Sequence, residues 1–408
     1  MKTIDDLVSG ELDTMDPEWW SDPYRHLADA RDRGWLFRSP RGFEVVRYQQ
    51  MFTLLRNRNM SQEHVRMAHR AGITHPEVLR FRTNFLINTL GTDHIRIRTS
   101  VGAYFGHENV AALQSAIRGI VEDIFDEVDD PHNVEMVRGV CEQIPARTFL
   151  YMIGHDTRDV EMANFIAQAS DSILKIFRED VTLKDEVEQT YLKVFELVQR
   201  IIDERRASSA EPQGDLVDHV LSAQDRDTIT GQEAFDLIVL ALEASVDNTY
   251  TQMVLTLSAL LENPDQWNQL KQANDEALTR QAIEEGIRFR PRVIGQRRTA
   301  YSPFEFADVH VPEGSDFYLS VLSAHRDPEA FENPDVFDIH RTMTRPTVMF
   351  GGGMTACMGS GLARLEMQEF FGVLMDRYPN VALTRPWSYE FVGRTVCVPG
   401  EMWVNLDG

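Results

Sequence analysis

Residues 350–359 read Phe350-Gly351-Gly352-Gly353-Met354-Thr355-Ala356-Cys357-Met358-Gly359. One cysteine closes a glycine-rich turn and precedes an amphipathic run, Ser360 to Tyr378, whose spacing predicts a helix. A sulfur ahead of a helix N-terminus is stabilised as thiolate by the helix dipole and by open backbone N–H groups. Such a thiolate is a good ligand for iron. Glycines let the backbone lie flat against a large planar group where any Cβ would clash. Two other readings compete. One is an inert, buried cysteine after a glycine turn. The other is a dinucleotide loop, because Gly351, Gly353 and Ala356 fit G-x-G-x-x-A after the strand-like Thr347–Phe350. The dinucleotide reading is weak. Val381–Thr384, the next strand candidate, leads to Arg385 and Trp387 rather than to an acid, and too little chain remains for a βαβαβ unit.

The 408 residues are 43% hydrophobic and 26% charged, enough for one large core or two ordinary ones. A net charge of −23 argues against general nucleic-acid binding and against docking on anionic membranes. Cys141, Cys357 and Cys397 are scattered without a C-x-x-C pair, so neither a disulfide framework nor a zinc site is expected, in keeping with a reducing compartment. Met1-Lys2-Thr3-Ile4-Asp5-Asp6 resembles neither a signal peptide nor an anchor, and no apolar run is long enough to span a bilayer. The expectation is a cytoplasmic protein with no membrane and no nucleic-acid partner.

Helical periodicity dominates. Helices are predicted at 24–34, 117–128, 134–153, 160–176, 184–206, 232–262, 264–273, 278–288 and 361–378. The central one opens on a capping box, Thr230-x-x-Glu233, and stops before Pro264. Short strands are predicted at 35–38, 43–46, 304–307, 309–311, 317–319 and 396–398, with a loop at 207–214. The fold class expected is mainly α with small β-sheets, in a single domain over 1–408.

Phe-Gly-x-Gly-x-x-x-Cys-x-Gly resembles the haem-binding loop of the cytochrome P450 superfamily, and other pieces follow in that family's order. Glu285-x-x-Arg288 matches its Glu-x-x-Arg pair, His325–Pro328 and Phe337–Arg341 resemble the segments after it, and Arg341 joins Glu285 and Arg288 as structural. The resemblance spans essentially the whole chain and implies a helical prism around haem b (iron protoporphyrin IX). Cys357 is then the metal ligand, within a loop that includes Phe350, Gly351, Thr355 and Gly359. His94 and Arg98, at i and i+4 on one helical face, and Arg298 match the propionate partners, with Arg297 as fallback if the register slips. The activity implied is a bacterial monooxygenase that inserts one atom of O2 into a small organic substrate, by hydroxylation or O/N-demethylation. No flavin or iron–sulfur motif is present, so electrons are expected from a separate ferredoxin and ferredoxin reductase, with Arg364 in a local docking patch. The family default is a monomer.

Three positions depart from the family. Thr355 stands where His or Arg usually faces a propionate. In Ala244-Ser245-Val246-Asp247-Asn248-Thr249, Ser245 replaces a glycine and Asn248 replaces the threonine whose hydroxyl, with an acid, organises water for proton delivery. Asn248 donates and accepts hydrogen bonds but is no proton source. It either holds a water, relies on a substrate hydroxyl, or marks a protein that uses oxygen differently. Glu243 interrupts the apolar run 237–242 and shares a helix face with Asp247. It either pairs with an arginine elsewhere, or faces a cationic or polyhydroxylated substrate and joins the proton relay, since a lone buried carboxylate is costly. Asp247, Asn248 and Glu243 are therefore the catalytic candidates. Leu240, Glu243, Ala244, Val293, Ile294, Phe85 and Val392 are the substrate-contact candidates, with residues 64–90 as a lid-like region. The alternatives are a haem-thiolate enzyme that uses peroxide or catalyses a rearrangement, and a non-catalytic haem sensor or ligand carrier.

Overall fold

The structure, a computed structural model, describes residues 2–62, 64–209 and 211–408. Met1, and Ala210 of the expected loop, lie outside the described residues. The described residues are 57% helical, well above the roughly one-third typical of globular proteins, and form four small sheets. The expected mainly α class is what is found. Two compact units are distinguished: Met1–Glu63 with Glu284–Cys357 and Phe391–Val398, and His64–Ile283 with Met358–Glu390 and Pro399–Gly408.

The first unit is built on a five-stranded sheet in the order Leu36–Ser39, Gly42–Val45, Asp316–Ser320, Gly295–Ala300, Met60–Ser61. The expected hairpin forms with Leu36 opposite Val45. Gly42–Val45 then runs parallel to Asp316–Ser320, and Gly295–Ala300 runs antiparallel to it with Arg298 opposite Phe317. Phe37, Phe43, Val45, Phe317 and Leu319 are buried, with the Phe43 and Phe317 rings 5.2 Å apart. Gly295–Ala300 was not expected as a strand, because Gln296, Arg297, Arg298 and Thr299 carry no apolar alternation. Its buried polar face belongs to the site described below.

Beside this sheet, Glu285 and Arg288 sit one turn apart near the end of the helix Glu276–Phe289. Both side chains are fully buried and meet in a bidentate pair, both bonds 2.7 Å. Arg288 also donates to the carbonyls of His325, Pro334 and Val336, and Arg341 joins Glu285 at 3.0 Å. One buried ion cluster thereby holds the chain that leads to Cys357. His325 supports it: Nε2 accepts the Val348 N–H at 2.9 Å. Burial, aided by the Arg288 charge, pushes its pKa down to about 3, so the ring stays neutral and able to accept.

The second unit is helical, with a three-stranded sheet of Val134–Glu135, Trp403–Asn405 and Ala382–Leu383. Its helices include Gln143–Met152, Val160–Leu174, Lys184–Ala207, Gly231–Ser245, Asp247–Glu262 and Ser360–Arg377. The capping box closes in both directions: Glu233 N–H donates to Thr230 Oγ1 at 3.2 Å and Thr230 N–H to Glu233 Oε2 at 2.8 Å.

Three expectations are corrected. The helix expected over 232–262 is two helices, broken at Val246. Ser245 Oγ donates back to the Leu242 carbonyl at 3.3 Å, and the next turn restarts with Thr249 and Tyr250 N–H both on the Val246 carbonyl at 3.2 Å. A hydroxyl competing for an i−3 carbonyl bends a helix in this way. The helix expected over 134–153 begins instead as the strand Val134–Glu135 paired with Trp403–Asn405, passes through a π turn at Val137–Cys141, and becomes α-helical at Gln143. Thr347–Phe350 is no strand but a turn, which removes the last support for the dinucleotide reading.

Candidate active site

In the first unit the cysteine loop is shaped by two glycines in the left-handed region, Gly351 at φ +74° and Gly353 at φ +65°. A Cβ on Gly353 would also lie 3.0 Å from the Arg56 Cα, so the loop packs where only glycine fits. The Cys357 N–H donates to the Phe350 carbonyl at 2.9 Å and the Gly351 N–H to the Val348 carbonyl at 3.1 Å. The loop closes on itself and leaves Cys357 exposed, while Cys141 and Cys397 are buried. Thr355 is half-buried in the short turn Gly353–Thr355. Gly359 caps the helix Ser360–Arg377 and accepts the Ala363 N–H at 2.9 Å.

Gln296 ties this loop to Arg298. Its Nε2 donates to the carbonyls of Val348 and Met349 at 3.0 and 3.2 Å, and its Oε1 accepts from Arg298 Nη2 at 2.8 Å. The two residues share one face of the strand because side chains alternate with period two. Gln296 was missed in the sequence, and that i, i+2 relation to Arg298 was the available signal. Arg298 is 3% exposed and pairs with no carboxylate among the described residues. Burial alone lowers its pKa to about 10. A buried guanidinium left without an anion is costly, so the site suits a bound group that brings its own negative charge. Arg297, between Gln296 and Arg298, is half-buried on the opposite face. Val293 is half-buried and pairs with Val396, Ile294 is buried with its N–H on the Thr395 carbonyl at 2.9 Å, and Val392 is buried in the same unit.

In the second unit, Leu240, Ala244 and Asn248 follow one another at four-residue spacing. They are half-buried, exposed and half-buried, while Ile238, Val239, Leu242 and Val246 around them are fully buried. This leaves one open stripe on otherwise enclosed helices, and Ser245, also half-buried, borders it. Asp247 is buried at the start of the second helix. His94 is buried on the helix Gly91–Gly102, with Nδ1 3.1 Å from the Leu86 carbonyl. That oxygen can only accept, so Nδ1 is the donor in this bond. Arg98 lies one turn further along and is half-buried. Phe85 is buried against the Phe81 ring at 5.3 Å, a core contact.

Glu243 has a partner. Arg82 Nη1 donates to its Oε1 at 2.6 Å and Tyr191 Oη to its Oε2 at 2.9 Å, and the same Nη1 donates to Tyr191 Oη at 3.1 Å. Burial works against the Arg82 charge, but Glu243 and Tyr191 outweigh it and hold Arg82 protonated. Burial also keeps the Tyr191 phenol neutral. Of the two readings of Glu243, the ion pair with an arginine is the one seen. Neither Arg82 nor Tyr191 was singled out in the sequence.

An exposed cysteine sulfur in a glycine loop, tied through Gln296 to an anion-seeking buried arginine, fits a flat, iron-bearing, dianionic group such as haem. Arg298→Leu is expected to weaken haem retention about 10–100-fold, the worth of one charge-assisted hydrogen bond. The check is the haem-to-protein ratio after gel filtration and the rate of haem transfer to an apo-globin acceptor. Unchanged retention would contradict the assignment.

Residues 144–383 match the family model described as Cytochrome P450. Luteothin monooxygenase of Streptomyces thioluteus is 29% identical over 93% of this chain and 92% of its own length. Cytochrome P450 107B1 of Saccharopolyspora erythraea is 30% identical over 73% of this chain and 71% of its own. The crystal structure of CalO2 superimposes with a TM-score of 0.86 over 98% of this chain and all of that chain at 21% identity, a likeness of fold.

Proposed function

The chain belongs to the cytochrome P450 family of haem-thiolate oxidoreductases, and on that premise we propose that it inserts one atom of O2 into a small organic substrate by hydroxylation or O/N-demethylation. Its electrons come from a separate ferredoxin and reductase, and it works as a cytoplasmic monomer with haem b. Among the described residues no helix is long and apolar enough to cross a membrane. The observation that carries the reading is the Arg298–Gln296 link to a loop that presents Cys357.

Haem, when bound, supplies oxygen activation and the oxidising power; the protein supplies ligation, orientation and protons. Cys357 would provide the electron-rich sulfur ligand. Arg298, His94 and Arg98 would hold the propionates, and Thr355 would add a hydrogen bond in place of a fourth cation. Leu240 and Ala244 offer the stripe on which a substrate rests, with Val293, Ile294 and Val392 as further wall candidates. Asp247 is the acid of the proton path. The Asn248 amide holds a water next to it by donating and accepting at once.

The role of Asn248 has a direct test. Asn248→Leu, which can hold no water, is expected to lower the product formed per reductant consumed about tenfold, less than the roughly 100-fold or more of a group that transfers the proton itself, because Asn248 only positions the water. Asn248→Thr is expected to bring no gain. The assay uses a ferredoxin–reductase pair and the first compound found to shift the Soret band. A severalfold gain in coupling in Asn248→Thr would contradict the idea that Asn248 is matched to its own substrate. Turnover with peroxide but with no ferredoxin pair would transfer the protein to the peroxide-using class.

A further inference from the structure

Arg82 has spent only one of its two faces. Both bonds it makes to Glu243 and Tyr191 leave from Nη1. Its Nε and Nη2 are buried and have no hydrogen-bond partner among the described residues, although the side chain is 0% exposed. Buried N–H donors are almost always satisfied, and leaving them bare costs more than a typical hydrogen bond returns. The Nε–H and Nη2–H pair is a planar fork suited to one acceptor oxygen or to two. Its surroundings are aromatic: the Phe85 ring lies 5.0 Å from the guanidinium carbon, and the Phe81 and Phe195 rings, both tilted, lie 5.7 Å from that of Tyr191.

The charge at this point is already balanced. Arg82 is matched by Glu243, and Tyr191 is neutral. A carboxylate on the open fork would bring a second buried negative charge with one cation between the two, and an amine would meet only donors. We propose that the open Nε/Nη2 edge of Arg82 is a substrate anchor that takes a neutral oxygen acceptor, a ketone, ester, lactone or amide carbonyl carried on an apolar skeleton. Glu243 and Tyr191 act as positioning residues: they fix the guanidinium plane and cancel its charge without touching the substrate. The inference rests on the oxygenase reading above, in which the helix Gly231–Ser245 faces substrate.

The experiment is a Soret titration of the ferric holoprotein with matched compounds of one ring skeleton: a lactone, the corresponding ketone, the hydrocarbon, a carboxylate and an amine. The lactone and ketone are expected to bind about 10–100-fold more tightly than the hydrocarbon, as one or two bonds to a charged donor provide. The carboxylate and amine are expected to bind more weakly than the ketone. Arg82→Lys keeps a cation for Glu243 but has no second edge, so it should abolish the carbonyl preference while the hydrocarbon still binds. Should that variant fail to fold, Tyr191→Phe, which frees the guanidinium to turn, should reduce the same preference severalfold. Equal binding of lactone and hydrocarbon by the wild type would mean that only water fills the edge, and would overturn the proposal. So would a preference for the carboxylate. A protein with no Soret band at all would instead remove the haem reading beneath it, so the two failures are distinguishable.

Discussion

Replacing Glu285 by alanine is expected to cost about 3–5 kcal/mol of folding stability, the usual price of stranding a buried charge. All four acceptor directions of this carboxylate are in use. Oε1 takes Arg288 Nη2 at 2.7 Å and the Asp338 N–H at 2.9 Å; Oε2 takes Arg288 Nε at 2.7 Å and Arg341 Nε at 3.0 Å. Its loss leaves two arginines facing each other, one of them with no exposure at all. It also releases the chain between His325 and Arg341, which holds the approach to the cysteine loop through the His325–Val348 bond. Against a total stability of about 5–15 kcal/mol, this is enough to deplete the soluble, haem-loaded protein. The urea midpoint of the purified variant reads the effect directly. A midpoint equal to that of the wild type would show that the pair carries no structural load.

Cys357→Ser is the second large effect, and it should act on chemistry without unfolding the chain. The side chain is exposed, and the bond that shapes the loop leaves from the backbone N–H, which serine keeps. Serine cannot offer the thiolate electron density that favours O–O cleavage. Even groups that merely support a metal ligand are typically worth about 10–100-fold, so turnover should fall by more than about 100-fold when the ligand itself is lost. The other cysteines cannot substitute. Both are buried, and burial holds the Cys141 thiol well above its usual pKa, in the protonated form. Retained far-UV circular dichroism with lost turnover is the expected pair of results. A variant that kept a tenth of the wild-type rate would exclude Cys357 as the ligand.

What the sequence made legible was local or ordered along the chain. The glycine–cysteine loop, the Glu285–Arg288 pair and the capping box at Thr230 each fall within ten residues, and helical period carried most of the long helices. What it hid was long-range. Glu243 meets Arg82 across 161 positions and Tyr191 across 52. A single chain offers no way to choose among its many arginines and tyrosines. The break at Val246 was hidden for another reason: apolar spacing continues through it, and only the hydrogen-bond pattern is interrupted. The strand Gly295–Ala300 was hidden because its buried face is polar and carries no apolar alternation. Val134–Glu135 was taken for helix because its partner strand, Trp403–Asn405, lies near the other end of the chain.

The measurement that bears most directly on the whole account is the carbon monoxide difference spectrum of the reduced wild-type protein. The proposed function depends on Cys357 supplying a thiolate ligand to the haem. Thiolate ligation by Cys357 predicts the strongly red-shifted Soret band of a thiolate-ligated ferrous haem, absent in Cys357→Ser. A band at the position given by a nitrogen- or oxygen-ligated haem, or one unaltered in Cys357→Ser, would contradict it.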